Sequence, residues 1–460
     1  MNRTAVINIV ALSPHLIGEH TPFLATYLSD HAMLPVKATL PAVTTTTQTT
    51  YLTGKLPKDH GIVGNGWYSR EDCEVKFWKQ SNKLVQAPKI WEEARERDAS
   101  NTFTVANTLW WYNMYSSADY SVTLRPTYPA DGAKYPDIWT HPAELRDTLK
   151  QKLGNFPLFN FWGPKSSIAS SQWISKSAQF VETEYSPTLH LVYLPHLDYS
   201  QQKVGPEPDL IAKELTEIDD LVKELVTFFE GRDVQCILLS EYAIVPVSRP
   251  VYINRALREA GLIQVRIEHG LEQLDAGASR AFAVADHQIA HVYVNDPSAK
   301  DTVYEILSKL DGVEFILDGS GKKEFGLNHD RAGDFVAVAE KDAWFSYYHW
   351  LDDSVAPDYA RCVDIHRKPG YDPVELFIDP EIRFPVLKAG YRLGQKLLGF
   401  RYLMDLIPLD ATLVKGSHGR NEYEGDRSAL FMTKREELVK GREQIQATDV
   451  FELILQHIGL

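Results

Sequence analysis

Short apolar runs alternate with amphipathic stretches along the first half of the chain. Four runs of strand length, residues 6–12, 103–106, 188–193 and 234–239, are largely apolar, as is typical of strands buried on both faces. Residues 21–29 and 209–230 instead repeat apolar side chains at helical spacing, and the second stretch carries the longer stripe. Buried strands that alternate with amphipathic helices predict an α/β protein with a mostly parallel sheet flanked by helices.

The pattern changes between residues 241 and 418. Short strand-like runs replace the alternation, and one stretch has helical spacing. The strand-like runs are residues 281–285, 291–294 and 335–339, and the helical stretch is residues 301–310. We therefore expect an inserted α+β cap over residues 265–385 and a core formed by residues 1–264 and 386–460.

Composition and charge narrow the functional classes. With 460 residues, of which 44% are hydrophobic and 24% charged, the chain can bury a substantial core. A net charge of −14 disfavours binding to nucleic acid, but it leaves a small anionic ligand open if a local cation is present. No apolar run approaches the roughly 20 residues of a membrane-spanning helix.

The cysteines and the N-terminal residues indicate the cellular compartment in which the protein is expected. Cys73, Cys236 and Cys362 are too few and too widely spaced for a disulfide framework or a Cys-x-x-Cys metal site. The apolar stretch near the N-terminus lacks a small-residue cleavage site, so we interpret it as a first core strand. Both observations favour a reducing, cytoplasmic location.

A threonine-rich segment carries the most specific motif. Pro41 is followed three residues later by Thr44, the first of four consecutive threonines. The threonine-rich segment as a whole ends at Thr53-Gly54. A His-Gly-Ile-Val-Gly-Asn turn, residues 60–65, comes next. A hydroxyl at a helix N-terminus lies near unpaired backbone N–H groups, where a phosphoryl group would be stabilised.

This ordered pattern resembles the nucleophile helix of the type I phosphodiesterase/nucleotide pyrophosphatase family, in the alkaline phosphatase superfamily. The resemblance implies an alkaline phosphatase-like core with Thr44 as the nucleophile. It also implies that Asn65 donates a hydrogen bond to a phosphate oxygen. A register shifted by one residue would instead make Thr45 the nucleophile.

Three further motifs resemble the metal-binding turns of the same family. They imply that Asp198, Glu241 and His418 are metal ligands. Gln202 and Tyr242 stand where the family has histidines, and Glu241 replaces an aspartate. Further departures are in the first strand. There Val10-Ala11 replaces an Asp-Gly pair, and Asn8 is a poor substitute.

The departures leave the number of metal ions open at one or two. In the family, two zinc ions are bound, and Val10 and Tyr242 both remove ligands of the ion that activates the nucleophile. The histidines that could replace the missing ligands are His196, His287 and His366, although each could equally be an ordinary hydrogen-bonded side chain.

Other side chains could contact the substrate. Arg367 and Lys368, beside His366, could bind a phosphate or carboxylate group. Trp110-Trp111 and Trp67-Tyr68 could stack a base, or pack in the core.

Taken together, the motifs favour a phosphoric ester hydrolase of the phosphodiesterase type. It would act through Thr44 on a small phosphate ester, phosphodiester or nucleotide-like molecule, with a divalent metal such as zinc. Two alternatives remain open. The chain could bind a phosphorylated small molecule or a partner without turnover, or it could transfer a phosphoryl group to an acceptor other than water.

Overall fold

The computed structural model describes residues 1–130, 133–422 and 425–460 of the chain. Its strands are β1 (Thr4–Ile9), β2 (Ala32–Lys37), β3 (Gly66–Ser69), β4 (Glu74–Phe77), β5 (Val105–Thr108), β6 (Tyr120–Leu124), β7 (Ile138–His141), β8 (Leu189–Leu194), β9 (Gln235–Leu239), β10 (Val245–Pro246), β11 (Arg249–Val251), β12 (Val265–Glu268), β13 (Leu271–Leu274), β14 (Ala281–Asp286), β15 (Ile289–Val294), β16 (Val313–Leu317), β17 (Phe335–Ala339), β18 (Ala343–Phe345), β19 (Gly416–Ser417), β20 (Ala429–Thr433) and β21 (Ile445–Gln446). Its α-helices are α1 (Pro22–Ser29), α2 (Thr44–Thr53), α3 (Pro57–His60), α4 (Ile90–Arg97), α5 (Leu145–Leu153), α6 (Leu158–Phe161), α7 (Ala169–Tyr185), α8 (His196–Val204), α9 (Ala212–Glu230), α10 (Ile253–Glu259), α11 (Lys300–Lys309), α12 (Gly319–Glu324), α13 (Pro385–Leu397) and α14 (Asp449–Ile458).

A nine-stranded sheet organises the core. Its strand order is β21-β2-β20-β9-β1-β8-β5-β6-β7. The five strands from β9 to β6 are parallel to one another. Every residue of β1 and β8 is buried, because helices cover both faces of these apolar strands. The predicted α/β class with a mostly parallel sheet is confirmed.

One strand starts later than the apolar pattern predicts. The apolar pattern predicts a strand over residues 103–106, whereas β5 begins at Val105. The Asp98 carboxylate accepts hydrogen bonds from the backbone N–H groups of Thr102 and Phe103, at 2.7 and 2.9 Å. These two amides are therefore engaged in a turn and are not available to a neighbouring strand.

A second, antiparallel sheet lies in the middle of the sequence. Its strand order is β14-β15-β17-β16, and α11 packs against β16. The three strand-like runs and the helix that the sequence predicts here are all present. The buried side chains of β14 and β15 belong to an apolar cluster separate from that of the large sheet.

The direction of β2 brings α2 to one particular edge of the large sheet. Both β2 and β9 are antiparallel to β20, so β2 runs in the same direction as the central strands. All ten residues of α2 are buried, although threonine is a poor helix former. The hydroxyls of Thr49, Thr50 and Thr53 each donate to the carbonyl four residues earlier, at 2.7–3.0 Å, which satisfies them inside the protein. The first residue of α2 thus lies at the edge where the parallel strands end.

In the described residues, none of the helices combines the length and the apolar content that crossing a bilayer requires.

Candidate active site

Thr44, Tyr242 and Asp198 are connected by hydrogen bonds at this edge of the sheet. Thr44 Oγ1 lies 3.1 Å from the Tyr242 hydroxyl. The Tyr242 hydroxyl donates to Oδ1 of Asp198 at 3.0 Å. Thr44 begins α2, Asp198 lies in the first turn of α8 after β8, and Tyr242 follows β9. Three distant segments therefore bring an aliphatic hydroxyl, a phenol and a carboxyl group together.

The second oxygen of Asp198 is also occupied. Gln202 lies one helical turn further along α8, and its amide nitrogen donates to Oδ2 of Asp198 at 2.7 Å. The amide oxygen of Gln202 accepts from the Tyr371 hydroxyl at 2.8 Å. Burial raises the pKa of Asp198 to about 7, although the hydrogen bonds from Tyr242 and Gln202 act in the opposite direction. This carboxyl therefore changes its charge near neutral pH.

Glu241 is held by two amides. Its Oε1 accepts from Nδ2 of Asn8 and from Nε2 of Gln48, both at 2.6 Å. The amide oxygen of Gln48 accepts from the backbone N–H of Trp111 at 2.7 Å, which fixes the orientation of the Gln48 side chain. Burial raises the pKa of Glu241 to about 8. Glu241 is thus a fully buried carboxyl with two neutral donors on Oε1, whereas its Oε2 has no hydrogen-bond partner among the described residues.

Two histidine rings pack beside these groups. His418 stacks on Tyr242 with 3.6 Å between the ring centroids, and His287 lies 3.8 Å from His418. His418 donates through Nδ1 to the Ala42 carbonyl at 2.8 Å, so its Nε2 faces Asp198 at 3.8 Å from Oδ1. Burial lowers the pKa of both imidazoles well below the usual value, which favours their neutral forms.

Asn65 is bound to a carboxyl from the second sheet. The backbone N–H and the amide nitrogen of Asn65 donate to the two carboxyl oxygens of Asp286, at 2.8 and 3.1 Å. Its amide oxygen accepts from the backbone N–H of Thr45 at 3.1 Å. Asp286 also contacts Nδ1 of His287 at 2.8 Å. The donor group that the resemblance assigns to a phosphate oxygen is therefore engaged with Asp286.

The electrostatics of the site are unusual for phosphate chemistry. Burial raises the pKa of Asp198, Glu241 and Asp286. Within the described parts of the chain, no lysine or arginine forms an ion pair with any of these three carboxyls. The described part of the site therefore offers little fixed positive charge to an anion.

The comparisons with known proteins agree with the fold and the motifs. The sequence model described as type I phosphodiesterase/nucleotide pyrophosphatase matches residues 4–372, most of the chain. The chain belongs to this family. No curated protein sequence matches it significantly.

Solved structures of the family share the architecture. Human ectonucleotide pyrophosphatase/phosphodiesterase 5 has 12% identity and a TM-score of 0.59, and the match covers 100% of this chain and 95% of the human one. Phosphonoacetate hydrolase from Sinorhizobium meliloti 1021, in complex with phosphonoformate, has 14% identity and a TM-score of 0.59 over 99% and 96% of the two chains. An inactive murine ectonucleotide pyrophosphatase/phosphodiesterase 5 in complex with AMP has 14% identity and a TM-score of 0.57 over 100% and 96%. At these identities the likeness shows a common fold.

Members of the type I phosphodiesterase family typically depend on divalent metal ions. A zinc site needs three or four nitrogen, oxygen or sulfur ligands that converge at about 2.0–2.3 Å. Here Tyr242 and Gln202 donate to both oxygens of Asp198, and two amides hold Glu241. Across the described ranges, no group of three or more His, Cys, Asp or Glu side chains is placed to hold a metal ion. The residues present do not fit the two-zinc arrangement, and the assignment of Asp198, Glu241 and His418 as ligands stays a prediction.

The histidines predicted as substitute ligands lie in different places. Of the three, His287 lies in the site, against His418 and Tyr371. His196 is buried with its Nε2 at 3.3 Å from Glu217 on α9. His366 is exposed. The structure therefore brings one of the three substitutes to Thr44 and its neighbours.

The two predicted phosphate-gripping cations are paired with carboxylates. Arg367 is exposed and pairs with Asp358 at 3.1 Å. Lys368 is buried, and its ammonium lies 2.7 Å from both Asp372 and Glu375. Burial opposes the charge of Lys368, yet these two carboxylates raise its pKa. Lys368 is thus satisfied inside the protein.

Three site residues escaped sequence reasoning. Tyr371 fixes Gln202, Asp286 binds Asn65, and Gln48 binds Glu241. The one signal for Asp286 in the sequence is its position directly before His287, a predicted substitute ligand. Among the aromatic candidates, Trp110 and Trp111 are buried, as a core role predicts.

Proposed function

We propose that this protein is a phosphodiesterase-type hydrolase in which Thr44 is the nucleophile and Tyr242 and Asp198 accept its proton. The observation that carries the proposal is the pair of hydrogen bonds from Thr44 to Tyr242 and from Tyr242 to Asp198, at 3.1 and 3.0 Å. A threonine hydroxyl needs an adjacent base to become a useful nucleophile. Tyr242 stands where the family has a metal-binding histidine, and its hydroxyl links Thr44 to the Asp198 carboxyl.

The proposed step conserves atoms and protons. Thr44 Oγ1 forms a bond to phosphorus while the bond from phosphorus to the leaving oxygen breaks, and the leaving oxygen keeps the electron pair and departs as an anion. The Thr44 proton moves to the Tyr242 oxygen as the phenolic proton moves to Asp198, so the tyrosine is unchanged overall. Water then hydrolyses the phosphoryl-threonine and donates its proton to the solvent, and Asp198 returns the stored proton to Thr44 through Tyr242.

The charges of the site support a substrate with a single negative charge. A monoester dianion would meet three carboxyls and, in the described parts, no ion-paired lysine or arginine beside them. A phosphodiester or a phosphonate monoester carries one charge, which the N-terminal turn of α2 can stabilise through its backbone dipoles. We therefore propose diesters with good leaving groups as substrates, ahead of monoesters.

The test is hydrolysis of bis(4-nitrophenyl) phosphate by the wild-type protein and two threonine variants. Thr44→Ala should abolish turnover, whereas Thr45→Ala, the neighbouring threonine on the same helix, should retain it. An acid quench followed by mass spectrometry should detect a phosphorylated Thr44 peptide. Turnover that survives Thr44→Ala, or that disappears only with Thr45→Ala, would contradict the assignment of the nucleophile.

A second assay separates the proton relay from metal activation. Turnover should persist after exhaustive chelation, because the relay uses only side chains of this chain. Turnover that is lost on chelation and restored by zinc would overturn the relay while leaving Thr44 as the nucleophile.

Binding without hydrolysis is a second candidate function. It is favoured by the burial of Thr44, which is only 5% exposed, since an ester must displace neighbouring side chains to reach it. If no diester, nucleotide or phosphonate is turned over but one of them binds in calorimetry, this second function replaces the first. Transfer to an alcohol acceptor would appear as a new ester product in the same assays.

A further inference from the structure

Residues 380–405 form an appendage that leaves the body of the protein and returns to the same point. The backbone N–H of Asp379 donates to the carbonyl of Leu406 at 2.8 Å, which closes the base of the appendage. Most of the segment between them is α13 and the turn that follows it. The appendage therefore projects from the protein without interrupting the fold on either side.

The polar side of α13 is half-buried against the segment that follows the helix. Lys388 and Arg392, one turn apart, both bind the carboxylate of Asp405 at the base of the appendage, at 3.1 and 2.8 Å. This arrangement is the reverse of an ordinary surface helix, whose apolar stripe faces the core.

The apolar side of α13 faces outward. Val386, Leu397 and Leu398 are 82%, 87% and 76% exposed, which is close to full exposure for an aliphatic side chain in a folded protein. The other exposed large apolar side chains of the appendage are Phe384, Leu387, Tyr391, Leu393 and Phe400. Such a contiguous patch marks a surface that something else covers.

The charge of the appendage differs from that of the whole protein. Residues 380–405 contain five lysines and arginines against two acidic residues, Glu381 and Asp405, in a chain with a net charge of −14. Arg383 and Lys396 form no ion pair with any described residue, and their cations lie over the rings of Phe384 and Tyr402. Cations therefore flank the exposed apolar face.

We infer that α13 docks this protein onto the surface of a lipid bilayer with anionic headgroups. The apolar face would enter the boundary between headgroups and acyl chains, and Arg383 and Lys396 would lie at the headgroups. The helix has 13 residues, so at 1.5 Å per residue it is about 20 Å long and lies in the plane of the surface.

The charge pattern selects a bilayer over a second copy of the chain. Two appendages packed through their apolar faces would bring Arg383 and Lys396 of one copy towards those of the other, and the described residues give neither cation an ion-pair partner. Anionic headgroups supply the opposite charge along the whole face. The overall charge of −14 predicts that binding depends on this one segment.

The experiment is flotation of the full-length protein with vesicles of phosphatidylcholine alone or mixed with phosphatidylglycerol. Wild-type protein should float with the mixed vesicles, less with neutral ones, and less in high salt. Leu397→Asp combined with Leu398→Asp should reduce the bound fraction about tenfold, because charge replaces the two leucines that project furthest. Ile267→Asp, at an exposed apolar residue of β12, is the matched control and should float like wild type.

A second variant tests the inference independently of whether the double-aspartate variant folds. Replacement of residues 383–402 by a short glycine-serine linker should leave the fold intact, because the base of the appendage is closed at residues 379 and 406. It should abolish flotation. Absence of wild-type flotation, unchanged flotation of both variants, or a wild-type dimer that Leu397→Asp/Leu398→Asp converts to monomer would overturn the inference.

Discussion

Lys368 is expected to be a structural cation whose loss destabilises the whole protein. Its ammonium is buried between Asp372 and Glu375, 2.7 Å from each. Glu375 also accepts from the indole N–H of Trp162. Tyr371, which fixes Gln202 in the site, lies in the same short segment. The variant Lys368→Met keeps the length of the side-chain stem and removes the charge.

The expected cost follows from the burial of both partners. Removing one member of a buried ion pair leaves an uncompensated charge and costs about 3–5 kcal/mol. The effect should reach the upper part of this range, because two carboxylates lose their cation. Arg367→Met is the matched control: this neighbouring side chain is 53% exposed, and its ion pair with Asp358 should be worth about 0–1 kcal/mol.

Denaturant unfolding, followed by tryptophan fluorescence, measures the free energy of unfolding of both variants. The cost of Lys368→Met should shrink as the pH falls from 7 towards 4, because buried carboxylates without a cation gain stability by taking up protons. The triple variant Lys368→Met/Asp372→Asn/Glu375→Gln should recover most of the loss. Equal effects of Lys368→Met and Arg367→Met, or no recovery in the triple variant, would refute the reasoning and restore the interpretation of Lys368 as a ligand-gripping residue.

Three further predictions concern the site. Tyr242→Phe should lower kcat for a diester about 100-fold, since the proton path from Thr44 to Asp198 is broken, while circular dichroism should show an unchanged fold. The pH–rate profile of the wild type should rise through a pKa of about 7, because Asp198 accepts the proton only when it is ionised; a profile that is flat from pH 5 to 9 would contradict this role. Elemental analysis of protein purified without chelators should find less than one equivalent of transition metal per chain, whereas two equivalents of zinc would show that the side chains rearrange around metal ions.

Local pattern was sufficient for the central strands of the large sheet. The apolar runs at β1, β8 and β9 predict buried parallel strands, because period and composition are set by neighbours along the chain. One departure from the family pattern is also visible in the backbone conformation. Ala11 stands in place of a glycine, and its φ of 60° is in the left-handed region that favours glycine.

The contacts that define the site were beyond reach of such patterns. Tyr371 and Gln202 are separated by 169 residues, and Asn65 and Asp286 by 221. Their hydrogen bonds depend on how the second sheet sits on the first, which no local period encodes. The same holds for α13, whose amphipathic pattern says that one face is apolar but not that this face points away from the protein.

The departures from the family's metal ligands make physical sense as a set. A buried carboxyl is costly unless a cation or hydrogen-bond donors satisfy it. Tyr242 and Gln202 supply donors to the two oxygens of Asp198, and Asn8 supplies one to Glu241. Each donor occupies a direction from which a cation would approach, so reverting one position to a family ligand leaves the other donors in place. At Gln202 and Tyr242, neutral hydrogen-bond donors therefore stand where the family pattern has metal-binding histidines.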